Sequence, residues 1–224
     1  MVVLATKVYV QGDARDRSMD ALRALVDNEV GDLDVEYELG IRHDDFPTVT
    51  LEGPDAVAAR NVLAEAYGEI LPQLEAGETY VGTLQRWDDD GFVLDAGQHV
   101  RIPADELGLG PGTPEQIRDR FGIVQHLPMR FVYGGDDGPS RLADEERDRL
   151  YEWTRGTGRL NVNSATRGEV RATVNRAGHA RDIVTVERLG LLEQSVVCRE
   201  DTDPPGLLAS IGEYLPAELK CVVP

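Results

Sequence analysis

The chain has 224 residues, 41% of them hydrophobic and 29% charged, and a formal net charge of -18. That balance excludes an intrinsically disordered polyelectrolyte, and no apolar run approaches the ~20 residues a bilayer-spanning helix needs. The length suits one large domain or two to three small ones.

The chain start, Met1-Val2-Val3-Leu4-Ala5-Thr6-Lys7, has no basic stretch ahead of a long apolar core. It reads as a strand rather than a secretion signal, and a cytoplasmic location is expected. A strand over Val2–Val10 opens the first unit, residues 1–72. Ser18 is read as the cap of a helix with Met19, Leu22, Leu25, Val26 and Val30 at helical spacing. Val35, Tyr37, Leu39 and Ile41 alternate with polar neighbours as in a half-buried strand, and Thr48–Leu51 returns after a turn at His43-Asp44-Asp45. Gly53-Pro54-Asp55 starts a second amphipathic helix, with proline at its first position. The unit is βαββα, helices on an antiparallel sheet.

Residues 77–138 predict several short strands around one helix, a small barrel. Tyr80–Leu84 is followed by Phe92–Leu94 after an Asp90-Gly91 turn, then by His99–Pro103 after Gly97-Gln98. Thr113, Pro114 and Gln116 have the spacing of a capping box at a helix start. Leu127–Tyr133 is the closing strand. Residues 140–155 predict a charged helix capped by Ser140, with little apolar surface, and hence a connector.

Residues 156–224 predict βαββαβ, the ferredoxin-like order. Leu160–Val162 leads into a helix capped by Ser164 and ended by Gly178. A hairpin over Ile183–Leu189 and Glu193–Arg199 turns around Gly190. Asp203-Pro204 starts the last helix, and Leu219–Val223 closes the sheet. The first strand would lie between the third and fourth, so Cys198 and Cys221 would be separated by a strand and unable to bridge. They are the whole cysteine inventory, with no Cys-x-x-Cys pair to suggest a zinc ribbon or redox motif.

Base usage is unusual. Lys7 and Lys220 are the only lysines, against 21 arginines. A dispersed acidic surface with few lysines is what a high-salt cytoplasm favours, because at 1 M salt the Debye length is ~3 Å and self-repulsion is screened. A halophilic source is therefore expected. Against this background, residues 155–199 hold eight arginines and four carboxylates. A local reversal of sign marks a surface suited to an anion, since the guanidinium fork binds phosphate bidentately and stacks on bases. The alternative is that these arginines pair with the acidic domains of the same chain or of a partner.

Val81-Gly82-Thr83-Leu84, Gly91-Phe92-Val93-Leu94-Asp95 and Val100-Arg101-Ile102-Pro103-Ala104-Asp105-Glu106-Leu107 resemble the oligonucleotide-binding (OB) barrel of S1-type RNA-binding domains. The resemblance implies RNA contacts on the second and third strands, at Phe92, His99 and Arg101, with Trp87 beside them. The segment Tyr80–Leu107 and the stretch from Asp182-Ile183-Val184-Thr185-Val186-Glu187-Arg188-Leu189-Gly190 to the C-terminus also resemble a family of uncharacterised archaeal proteins, domain-of-unknown-function family 2110. That likeness implies organisation and source, and no mechanism.

The four histidines are far apart, with no two at metal-ligand spacing. Gly108-Leu109-Gly110-Pro111-Gly112 lacks the lysine of a phosphate loop, and no Ser-His-Asp or Cys-His order stands out. The sequence thus predicts an α+β protein with no cofactor, no metal and no membrane partner, and an enzyme is the less favoured reading. The expected role is a non-catalytic RNA-binding or RNA-machinery-associated factor that contacts RNA or a ribonucleoprotein. Its candidate contacts are Phe92, His99, Arg101, Arg155, Arg159, Arg167, Arg171, Arg176 and Arg181. A protein-interaction scaffold is the alternative.

Overall fold

The apolar 3.6-residue stripe Leu22, Leu25, Val26, Val30 produces the first helix, α1 (Asp13–Val30), and is the face it buries. In the computed structural model, which describes residues 1–224, α1 starts well before the expected cap. Gly12 is its N-cap, Asp13 and Asp16 place negative charge at the positive end of the helix dipole, and Ser18 lies inside, donating to the Ala14 carbonyl at 2.6 Å. Strands β1 (Val2–Val3), β2 (Glu36–Ile41) and β3 (Pro47–Glu52) form an antiparallel sheet in the order β1-β3-β2, and α2 (Ala56–Tyr67) packs on it. β1 is much shorter than expected. Leu4 makes one bridge to Glu69, and the chain then runs buried through Val8 without sheet pairing. The apolar run there reflects burial between units, not strand pairing.

The middle of the chain forms a five-stranded antiparallel sheet curled into a half-barrel. Its strands are β4 (Thr79–Asp88), β5 (Gly91–Asp95), β6 (His99–Pro103), β7 (Pro128–Val132) and β8 (Arg141–Leu142), in the order β6-β5-β4-β7-β8. Helix α3 (Pro114–Phe121) carries the expected capping box of Thr113 and Gln116 and ends at Gly122 in the left-handed region. Helix α4 (Asp144–Trp153) is not a free connector. Leu150 and Trp153 are buried in the half-barrel core, and the buried Glu146 carboxylate accepts from the Arg130 amide at 3.1 Å. Its N-cap is Ala143; Ser140 instead accepts from the Gly134 amide.

The last part of the chain contains β9 (Arg159–Val162), α5 (Arg167–Arg176), β10 (Ile183–Arg188), β11 (Gln194–Cys198), α6 (Pro204–Gly212) and β12 (Leu219–Val222). The sheet order is β10-β11-β9-β12, antiparallel throughout, so β9 separates the two cysteine-bearing strands and both thiols are free. The α5 cap is Thr166, paired reciprocally with Glu169, and not Ser164. Ser164 has φ 58° and its amide donates to the Tyr9 hydroxyl at 2.8 Å, so a long-range contact displaces the local cap. The protein is thus α+β, with six helices and three antiparallel sheets. No helix is long and apolar enough to cross a membrane.

Polar contacts fasten the three sheets to one another. Lys7 reaches Asp95 at 2.6 Å, Tyr9 donates to Glu193 at 2.7 Å, and Arg17 pairs with Glu169 at 2.7 Å. The Arg118 side chain, 1% exposed, meets Glu218, whose other oxygen accepts from the Gln125 amide at 2.7 Å. Leu191 and Leu192, in the β10–β11 turn, bury themselves in the core beneath α1. Gly190 makes that approach possible, because a Cβ there would meet Glu193 Oε2 at 2.1 Å and Pro128 Cγ at 2.9 Å.

Candidate nucleic-acid interface

The capping box sets where α5 begins, and with it the position of Arg167 in the first turn. Arg171 follows one turn later on the same face. The Arg167 side chain is anchored by its Nε, which donates to the Val186 carbonyl of β10 at 2.6 Å. β10 ends in Arg188, α4 contributes Arg149, β7 contributes Arg130 and β9 contributes Arg159. These six arginines line three adjoining openings where the sheets meet. Arg188 lines all three, Arg167 and Arg149 two each.

The first opening is a cavity of about 120 Å³ walled by all three parts of the chain, with Arg130, Arg149 and Arg188 among its lining residues. The second, between α1 and the start of α5, has Arg167, Arg171 and Arg188. Neither is lined by a single aspartate or glutamate, in a chain with 41 of them. The third is lined by Arg149, Arg159, Arg167 and Arg188, with Glu152 and Glu187 as its carboxylates. Trp153 floors it, its ring shared by Arg149 and Arg159 at 5.2 and 5.0 Å from the centroid.

Like charges crowd here. Burial, with the Arg167 charge added to it, draws the Arg188 guanidinium below the usual arginine range. Burial and the Arg149 charge do the same for Arg159, partly offset by its pair with Glu187 at 3.1 Å. Arg159 is the one member of the eight-arginine segment held in an ion pair, and its partner lies in the same sheet. Arg155, Arg167, Arg171, Arg176, Arg181, Arg188 and Arg199 are exposed.

Three expected contacts therefore lie on this surface: Arg159, Arg167 and Arg171. Arg155, Arg176 and Arg181 are exposed but line none of the three openings; Arg181 sits with Arg199, His179 and four carboxylates at another depression. The expected stacking platform on the half-barrel is not formed. Phe92 is fully buried in the core and presents no face to a base. Arg101 is engaged bidentately by Asp88 at 2.7 and 2.9 Å, and that guanidinium holds the Asp88 carboxyl below its usual range. His99 is exposed at the β6 edge, remote in sequence from any of these arginines. Trp87 has Arg118 stacked over its ring at 3.2 Å and donates to Glu115, so its face is occupied.

Arg130, Arg149 and Arg188 were not among the expected contacts. Arg188 carries the signal of the arginine-rich segment itself. Arg149 lies in acidic sequence and Arg130 in an apolar strand, and neither has a local signal; only the docking of α4 on β7 brings them together.

Beside this surface lies a second, buried group. Glu193 is fully buried, and burial pushes its carboxyl up to about 8 despite the Tyr9 hydrogen bond. The Tyr9 ring stacks on His126 at 3.9 Å. Burial and the Lys7 charge pull His126 down to about 4. No His, Cys, Asp or Glu side chains converge in threes as a metal site would require. The buried group is a structural tie between domains, since solvent and ligand do not reach Glu193.

Comparison with curated proteins finds no match. Family models match end to end: the DUF2110 N-terminal domain over residues 1–73, the DUF2110 central domain over 74–154 and the DUF2110 C-terminal domain over 157–223. The arginine surface is built at the meeting of all three, and the chain belongs to the DUF2110 family.

Proposed function

We propose that the protein is a non-catalytic RNA-binding factor, and that its RNA-binding surface is the arginine belt at the three-domain junction rather than the half-barrel face. One observation carries this reading. Two adjoining openings are lined by arginines and by no carboxylate, in a chain of net charge -18. Guanidinium groups held together against their mutual repulsion gain most from a polyanion, whose phosphates accept bidentate hydrogen bonds. Counterion release supplies little affinity in concentrated salt, so planar guanidinium stacking on bases matters more there, and arginine suits that setting better than lysine. The antiparallel order β10-β11-β9-β12 supports the ferredoxin-like reading of the C-terminal domain, and the curled middle sheet is compatible with an S1-like origin. In the competing scaffold reading the arginines of residues 155–199 would be consumed by acidic neighbours, and one of them, Arg159, is ion-paired.

The test is fluorescence polarisation with labelled single-stranded RNA between 0.1 and 1 M KCl. Wild type binds, and Arg167→Glu with Arg171→Glu weakens binding by roughly 10- to 100-fold, the equivalent of ~1–3 kcal/mol. Arg101→Ala, which removes an arginine already held by Asp88, stays within about twofold of wild type. Absence of binding by wild type, or equal binding by the double variant, overturns the proposal.

A further inference from the structure

We infer that the cavity at the three-domain junction is a pocket for a terminal phosphate, a phosphomonoester dianion. The inference deepens the RNA reading, on which it rests only for the source of that phosphate.

The cavity is small, about 120 Å³, and its polar lining is cationic. Arg149 is fixed there: its Nη2 donates to the Pro128 carbonyl at 3.1 Å and is held in an ion pair by the buried Glu146. Its Nε is buried and has no partner, a donor left waiting in a place where such groups are nearly always satisfied. Arg188 adds a guanidinium with no carboxylate bound to it, and Arg130 a third. The Thr6 hydroxyl oxygen accepts from the Leu191 amide at 3.0 Å, which leaves its proton free to donate. The Tyr67 hydroxyl, also in the lining, donates to Glu29 at 3.4 Å and is not a free donor.

Charge selects the ligand further. Three guanidinium groups line the cavity with no carboxylate among its walls; Glu146 pairs with Arg149 from behind, and Glu29, held by Tyr67, acts on Arg188 from outside the lining, so the walls keep an excess of positive charge. A phosphomonoester is close to a dianion at neutral pH, with a second pKa of about 6. A chain phosphodiester carries one charge and two free oxygens, and so engages fewer of these donors. At about 120 Å³ the cavity has room for a tetrahedral oxyanion. The ester substituent would then continue over Arg149 and Arg188, which also line the neighbouring opening above Trp153. A nucleoside monophosphate and the phosphorylated end of an RNA chain share this chemistry.

Polarisation titrations compare one RNA oligomer with a 5′-hydroxyl, a 5′-phosphate or a 3′-phosphate. Melting curves with inorganic phosphate and with adenosine monophosphate run alongside. One phosphorylated form is expected to bind about tenfold more tightly than the hydroxyl form. Both phosphate compounds are expected to raise Tm in wild type and not in Arg188→Gln, where the RNA affinities converge; Arg130→Gln repeats the measurement should Arg188→Gln misfold. RNA binding that ignores end phosphorylation, with no Tm shift from either compound, overturns this inference and leaves the RNA reading standing. A Tm shift lost in Arg188→Gln, without RNA binding by wild type, supports the pocket and overturns the RNA reading. An equal shift in wild type and Arg188→Gln overturns the pocket.

Discussion

Lys7→Met is expected to destabilise the protein by ~3–5 kcal/mol, the range seen when one partner of a buried ion pair is removed. Lys7 is 6% exposed and Asp95 9%, and their 2.6 Å contact joins the N-terminal domain to the half-barrel. Methionine keeps the stem against Phe46, over whose ring the ammonium now sits at 4.7 Å, so packing changes little. What changes is that Asp95 keeps a buried charge with no cation. Its other oxygen accepts from the Gly97 amide at 3.0 Å and so shapes the turn into β6, which ties the loss to the half-barrel as well. Total stabilities of domains are about 5–15 kcal/mol, so a large share is at stake. Urea denaturation measures it. Adding Asp95→Asn should restore most of the loss, because the orphaned charge goes with it. The effect should persist in high salt, since buried pairs are screened far less than surface ones. A loss under ~1 kcal/mol, the size of a surface pair, would mean that the Lys7–Asp95 contact is not a tie between domains.

The second large effect is a fall in stability as pH rises from the ordinary carboxylate value to about 8, carried by Glu193. Burial raises its carboxyl from 4.5 to about 8 in the folded protein. Between those values the folded state holds a proton that the unfolded state has released. The stability from this group is thus complete below the ordinary carboxylate value and disappears as pH rises through about 8. At 1.36 kcal/mol per pH unit the full loss approaches ~5 kcal/mol. His126 works in the opposite sense. Lowered from 6.5 to about 4, it stabilises the fold above the ordinary histidine value, and that contribution is lost as pH falls through about 4. The two slopes oppose each other in weakly acidic solution, so maximum stability is expected there, with Glu193 alone governing the decline above neutrality. Glu193→Gln keeps an acceptor for Tyr9 and cannot ionise. Its Tm should match wild type near pH 5 and exceed it at pH 9. Parallel Tm–pH curves for the two proteins would show that Glu193 is already ionised in the fold.

Helix positions were legible wherever a local rule sufficed. The stripe of Leu22, Leu25, Val26 and Val30, the box of Thr113 and Gln116, and the Asp203-Pro204 start all depend on residues within a turn of each other, and the helices lie where those signals point. The readings that failed were local rules overruled from a distance. Ser164 lost its cap role to an amide contact with Tyr9, and Val2–Val10 gave up sheet pairing after Leu4 because Ala5–Val8 is packed between domains. The acidic helix α4 looked unattached, yet Leu150 and Trp153 suffice to bury one edge of it.

Phe92 shows the same limit for function: Phe92-Val93-Leu94 is a continuous apolar run with no alternation to mark an outward face, and closure of the half-barrel buries the whole strand. The reversal of charge over residues 155–199 was visible in composition alone, because net charge adds along a chain regardless of folding. Which of those arginines act together was not, because guanidinium groups from Arg130 to Arg188 become neighbours only when β7, α4, α5 and β10 dock. Hydrophobic periodicity and caps are short-range properties written in consecutive residues, whereas a shared electrostatic field depends on distances that exist only after the domains have closed on one another.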